Sequence, residues 1–107
     1  MKNILLCCSC GLSSSMLCSK MRKVAETRDD GPYKIWATSI QEAKEIMGEV
    51  DFLLIGPHMR AMAKTVSDMA DEKGVPWLIV DRMDYAYGNG KAVFEKMDSH
   101  LAKRGEK

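Results

Sequence analysis

The sequence predicts an α/β fold: a single three-layer domain with a four-stranded parallel sheet and helices on both faces. Short apolar runs alternate with amphipathic segments at intervals of roughly 20–30 residues, the rhythm of successive βα units. The runs Ile4-Leu5-Leu6-Cys7 and Phe52-Leu53-Leu54-Ile55 are apolar throughout rather than alternating, as strands covered on both faces must be. The length of 107 residues and mass of 12.0 kDa suit one hydrophobic core over residues 1–107, large enough to need no disulfide staples.

The first strand is predicted over residues 3–7. A loop, Ser9-Cys10-Gly11-Leu12-Ser13-Ser14-Ser15, leads into a helix with Leu17, Met21, Val24 and Ala25 on one stripe, closed by Asp29-Asp30-Gly31-Pro32. A second strand covers 34–38. Ser39 and Glu42 then form a capping box for a short helix with Ala43, Ile46 and Met47 inward and Gly48 near its end. The third strand, 51–55, stops at Gly56-Pro57. The helix after it carries Met59, Met62, Val66 and Met69 at spacings of three and four, and ends at Gly74-Val75-Pro76. The fourth strand is 77–80, residues 82–90 read as a polar and aromatic loop, and a last helix carries Val93, Met97 and Leu101.

Composition excludes several functions. Sixteen Lys plus Arg against fifteen Asp plus Glu give a net charge of +1, so no global field points to nucleic acid or an anionic membrane. The apolar run after Met1-Lys2-Asn3 is too short for a signal peptide, and no stretch spans a bilayer, so a cytoplasmic protein without direct membrane insertion is expected. Three of the four cysteines fall in Cys7-Cys8-Ser9-Cys10, which fits a reducing compartment.

In a parallel sheet, sites lie beyond the carboxyl ends of the strands. That rule selects residues 8–15, 38–39, 56–60 and 81–90, of which the first carries the chemistry. Cys8 begins a Gly- and Ser-rich loop that runs into a helix. Successive backbone N–H groups there, with the positive end of the helix dipole, make a receptor for a tetrahedral oxyanion. A thiol aimed into it is stabilised as thiolate, lowering its pKa from about 8.5 and making Cys8 a nucleophile near neutral pH. Gly11 allows close approach of backbone to anion, and Ser13, Ser14 and Ser15 offer a cap and hydroxyl donors. The plainer alternative is a buried cysteine ending a strand and three serines starting a helix.

Residues 8–21, Cys-Ser-Cys-Gly-Leu-Ser-Ser-Ser-Met-Leu-Cys-Ser-Lys-Met, resemble the active-site loop and first helix of the enzyme IIB proteins of the phosphoenolpyruvate-dependent sugar phosphotransferase system, lactose/cellobiose type. Leu54-Ile55-Gly56-Pro57, and Val80-Asp81 followed by Tyr87-Gly88, extend the likeness over most of the chain. The resemblance implies a cytoplasmic phosphoryl carrier in which Cys8 takes the group from a phosphohistidine of enzyme IIA and passes it to a sugar held by the membrane enzyme IIC. Ser9, Cys10, Gly11, Leu12, Ser13, Ser14 and Ser15 would then form the loop holding the phosphoryl group. A relay must release each partner, so a small, partly polar docking surface around the loop is expected, with apolar residues such as Leu12 at its centre. No cofactor or metal is implied. Cys10 departs from the family pattern, in which a small residue such as alanine is common.

Two other classes share parts of this pattern. Low-molecular-weight phosphatases and arsenate reductases use the same strand-loop-helix cradle but need Cys-x5-Arg, and position 14 is Ser; Asp84-Tyr85 could mimic the phosphatase general acid. Cys8 and Cys10 could form a redox pair. Cys7, Cys8, Cys10 and Cys18 lack zinc-site spacing, and Cys7 and Cys8 should face opposite sides of a sheet. His58 reads as a solvated helix-start residue, with contact to a partner or the phosphoryl group as the alternative; His100 reads as a dipole contact near the end of the last helix, the methionines as core filler, Asp81 as a residue that caps or orders the loop, and Tyr85 and Tyr87 as site wall or docking surface.

Overall fold

The computed structural model describes residues 2–7, 11–29, 32–57 and 60–105, with 11–15, 60–61 and 101–105 as backbone only. Strands β1 (Lys2–Cys7), β2 (Tyr33–Thr38), β3 (Phe52–Ile55) and β4 (Trp77–Ile79) form one parallel sheet in the order β2-β1-β3-β4. The helices are α1 (Gly11–Glu26), α2 (Ile40–Ile46, continued by a 3-10 turn at Met47–Glu49), α3 (Arg60–Glu72), α4 (Arg82–Tyr87) and α5 (Gly90–Gly105).

Side-chain alternation divides the core. Ile4, Leu6, Phe52 and Leu54 point to one face, where they meet Leu17, Cys18 and Met21 of α1 and Val93, Phe94 and Met97 of α5. Leu5, Cys7, Leu53 and Ile55 point to the other, against Ala43, Met47, Val66 and Ala70 of α2 and α3. The uninterrupted apolar runs of β1 and β3 thus serve two cores at once. The chain steps from β1 to β2 over one face and back to β3 and β4 over the other, as crossovers of a single hand require. The order reverses between β1 and β3, which opens a crevice at the carboxyl ends of those two strands.

Two expectations change. Residues 82–87 are helical, not loop: the Asp81 carboxylate accepts a hydrogen bond from Met83 N–H at 2.8 Å, Gly88 closes the other end at φ +63°, and Tyr85 is buried beneath. A helix of six residues is too short to display a 3.6-residue period, so its caps were the only legible signal. On α3 the buried stripe is Val66 and Ala70, and Met62 is exposed, because the stripe is centred one position away from the methionines. The Ser39 cap appears as expected, its Oγ accepting from Glu42 N–H at 3.4 Å.

Candidate functional site

The crevice is framed by backbone. Cys7 stands in register with Thr38 on one side and Ile55 on the other, so three strands end level. Gly56 N–H donates to the Cys7 carbonyl at 3.1 Å, and Val80 N–H to the Ile55 carbonyl at 2.9 Å, which carries the same edge across to β4. Between the end of β1 at Cys7 and the start of α1 at Gly11 lie residues 8–10. Cys8, Ser9 and Cys10 lie outside the described residues.

Gly11, Leu12, Ser13, Ser14 and Ser15 are the first turns of α1 rather than loop. Small and hydroxyl residues at a helix start are compatible with helical backbone, and the apolar stripe from Leu17 onward draws the segment onto the sheet. The strand-to-helix step is therefore shorter than the eight residues expected. The amides of the first helical turn have no intrahelical acceptor, and a helix of 16 residues adds its partial positive charge at that end. Amides that have no acceptor within their own helix, at the carboxyl edge of the sheet, suit a multiply charged oxyanion.

Beyond the carboxyl ends of β3 and β4 is an open hollow of ≈ 460 Å³ lined by Pro57, Ile79, Val80, Asp81 and Arg82. Arg82 contributes its cation; the Asp81 carboxylate is committed to the α4 cap. Arg82 was not singled out from the sequence, though its place directly after a strand's carboxyl end was the available signal.

Other candidates separate. The Asp84 carboxylate is held by Lys96 Nζ at 2.8 Å, turned toward α5. Tyr85 belongs to the core, whereas Tyr87 is exposed. The His100 and Phe52 rings meet in a T-shaped contact with centroids 5.6 Å apart, near the start of β3 and so at the opposite end of the sheet from the crevice. Cys7 and Cys18 are buried on opposite faces, so the four cysteines cannot converge on one ion. His58 and Met59 lie outside the described residues.

The hydrogen bond from Lys96 to Asp84 raises the lysine above its usual pKa of 10.5, outweighing the desolvation that acts in the other direction. A raised folded-state pKa means that the pair stabilises the fold below 10.5 and that this contribution fades as pH rises through the higher folded value. Because Lys96 is half exposed, its worth is only ~0.2–1 kcal/mol. The expected result is a small drop in melting temperature at alkaline pH that Lys96→Met lacks, measured by parallel thermal scans of the two proteins.

The family model described as "PTS system, Lactose/Cellobiose specific IIB subunit" matches residues 3–96. The chain belongs to this family. It is 36% identical over 96 residues to the oligo-beta-mannoside-specific EIIB component of Bacillus subtilis (strain 168), covering 90% of this chain and 92% of that protein. It is 35% identical over 98 residues to the cellobiose-specific EIIB component of Lactococcus lactis subsp. lactis, covering 86% and 89%. The solution structure of the cellobiose-specific phosphotransferase IIB component from Borrelia burgdorferi superposes with a TM-score of 0.76 at 28% identity, covering 95% of this chain and 93% of that one. A lactose-specific IIB domain from Streptococcus pneumoniae, at 19% identity and a TM-score of 0.73, shares the fold.

As a IIB component of the phosphotransferase system, the chain is a phosphotransferase that serves sugar transport. Its four-stranded parallel sheet is the fold of the family. Among the described residues no helix is long and apolar enough to cross a membrane.

Proposed function

We propose that Cys8 is the covalent phosphoryl carrier of this IIB component. It accepts the group from a phosphohistidine on enzyme IIA and delivers it to a sugar bound by the membrane enzyme IIC, working on the cytoplasmic side. The observation that carries the reading is the short step from Cys7, at the end of β1, to Gly11, at the start of α1, at the point where the strand order reverses. A thiolate on that step would meet helix amides that have no intrahelical acceptor, at the carboxyl edge of the sheet.

In the first half-reaction the Cys8 sulfur attacks the phosphohistidine phosphorus in line. The S–P bond forms, the P–N bond breaks, and the bonding pair stays on the imidazole. Amides at the head of α1, with Ser9, Cys10, Gly11, Leu12, Ser13, Ser14 and Ser15 supplying the segment, balance charge on the equatorial oxygens. In the second, a sugar hydroxyl attacks the same phosphorus, the thiolate leaves, and the hydroxyl proton passes to a base at the acceptor. Sulfur suits both halves, being a good nucleophile and a good leaving group. Hydrolysis is disfavoured because position 14 lacks the arginine a phosphatase uses, and because Lys96 already holds Asp84. Sugar choice rests with the membrane component.

The test is mass spectrometry of the intact chain after incubation with phosphoenolpyruvate and the upstream carrier proteins. One PO3 unit mapping to Cys8 is expected. A group found on any other residue, or no group at all with active upstream carriers, overturns the assignment.

A further inference from the structure

The four-stranded sheet has two edges, β2 and β4, and a strand at an edge offers its outer N–H and C=O groups to any extended chain that meets it. β4 is only three residues long and offers little. β2 is six residues, Tyr33-Lys34-Ile35-Trp36-Ala37-Thr38, rich in aromatic and β-branched side chains, with one charge and neither proline nor glycine. Such a strand is a template for unwanted pairing.

The ladder fixes which of its groups face out. Lys2 stands opposite Tyr33 and donates its N–H to the Pro32 carbonyl at 2.9 Å, so Lys34, Trp36 and Thr38 turn their backbone polar groups to β1. Tyr33, Ile35 and Ala37 turn theirs outward. The middle one is covered: the Arg22 guanidinium, reaching from α1, donates to the Ile35 carbonyl from Nε at 2.9 Å and from Nη2 at 2.6 Å. Arg22 is exposed, so water would satisfy both donors and the carbonyl if the side chain swung away. Holding it across the edge costs rotamer entropy that the two charge-assisted bonds offset.

We propose that Arg22 is a strap that closes the β2 edge against a second copy of this chain. Two copies meeting about a two-fold axis at Ile35 would pair antiparallel, Ile35 with Ile35 and Tyr33 with the second copy's Ala37. These are the residues whose N–H and C=O groups face outward, so each pair would be of the hydrogen-bonded kind. The side chains favour that register. Lys34, the one charge on the strand, would stand across from the second copy's Trp36, and it already lies 5.0 Å from the ring centroid of its own Trp36. The pairing is stopped at its centre instead: the Ile35 carbonyl is taken in both copies, and two guanidinium cations would be driven together on the axis.

The experiment is sedimentation velocity of the full chain over a range of concentrations. Arg22→Met keeps a long stem on the sheet but removes both donors and the charge, and it should reach at least twice the mass of wild type at the same concentration. Ala37→Pro deletes an outward N–H without breaking a bond to β1. It should leave wild-type sedimentation as it is and return the double variant, Arg22→Met with Ala37→Pro, to the wild-type value. In Arg22→Met the Ile35 and Ala37 amides should also exchange about tenfold more slowly as concentration rises, a change that a merely loosened α1 would not produce. Folded Arg22→Met that sediments like wild type overturns the proposal. So does association that Ala37→Pro fails to reverse, or a wild-type assembly that Ala37→Pro breaks, since the edge would then be open with Arg22 in place. A fluorescent peptide with the sequence of residues 33–38 tests the closed edge even if Arg22→Met does not fold: wild type should leave it unbound, and binding with protection of the Ile35 and Ala37 amides overturns the proposal.

Discussion

Cys8→Ser is expected to reduce sugar phosphorylation by about 10³-fold or more while the protein folds as before. The substitution exchanges one atom, sulfur for oxygen, so whatever shape the strand-to-helix step has can be kept. What changes is the reacting group. A thiol with a pKa near or below 8.5 supplies thiolate at neutral pH, whereas a serine hydroxyl supplies almost no alkoxide without a base beside it. A group that did reach serine would also be trapped, because an alkoxide leaves far less readily than a thiolate. The assay is phosphorylation of labelled sugar by the reconstituted chain of carriers, with circular dichroism and a thermal scan alongside. Wild-type turnover by the variant would remove Cys8 from the reaction, and an unfolded variant would give the cysteine a structural role instead.

The largest effect on stability is expected at Gly90. A Cβ there would lie 2.8 Å from the Met21 nitrogen and 2.9 Å from the Lys20 carbonyl carbon and the Met21 Cα. These are backbone atoms inside α1, so no rotamer change relieves the contact. Helix α5 must draw away from α1, which loosens Val93, Phe94 and Met97 against Leu17 and Met21. Gly90→Ala should cost ~1–3 kcal/mol. A loss of that size lowers the melting temperature of a domain this small by about 5–20 °C. Gly90→Val should do more. Gly88→Ala, strained by its positive φ but facing only flexible side chains, is the milder comparison at about 1 kcal/mol. Unaltered melting of Gly90→Ala would show that the two helices are not as closely packed as this distance requires.

Much of the fold was legible because it rests on local patterns. The apolar runs of β1 and β3, the stripe of Leu17 and Met21 on α1, and the Ser39 and Asp81 caps each announce themselves within a few neighbouring residues. Helix α4 was not legible, since six residues cannot establish a period and its outward apolar face runs against the usual sign. The loop after β1 was overestimated for a related reason: Gly and Ser suit a loop and the first turn of a helix equally, and only packing of the following stripe on the sheet decides where the helix begins.

Short-range patterning specifies a βα rhythm, two-sided strands and a chemically capable cysteine just beyond the first of them, because propensity and burial pattern act over short spans of chain. The strand order with its switch point between β1 and β3, the capture of Asp84 by Lys96 and the approach of Gly90 to Met21 are visible only in the folded chain. Each of those joins residues distant in sequence, and such a pairing is set by how whole elements pack around a shared core, which no local pattern encodes.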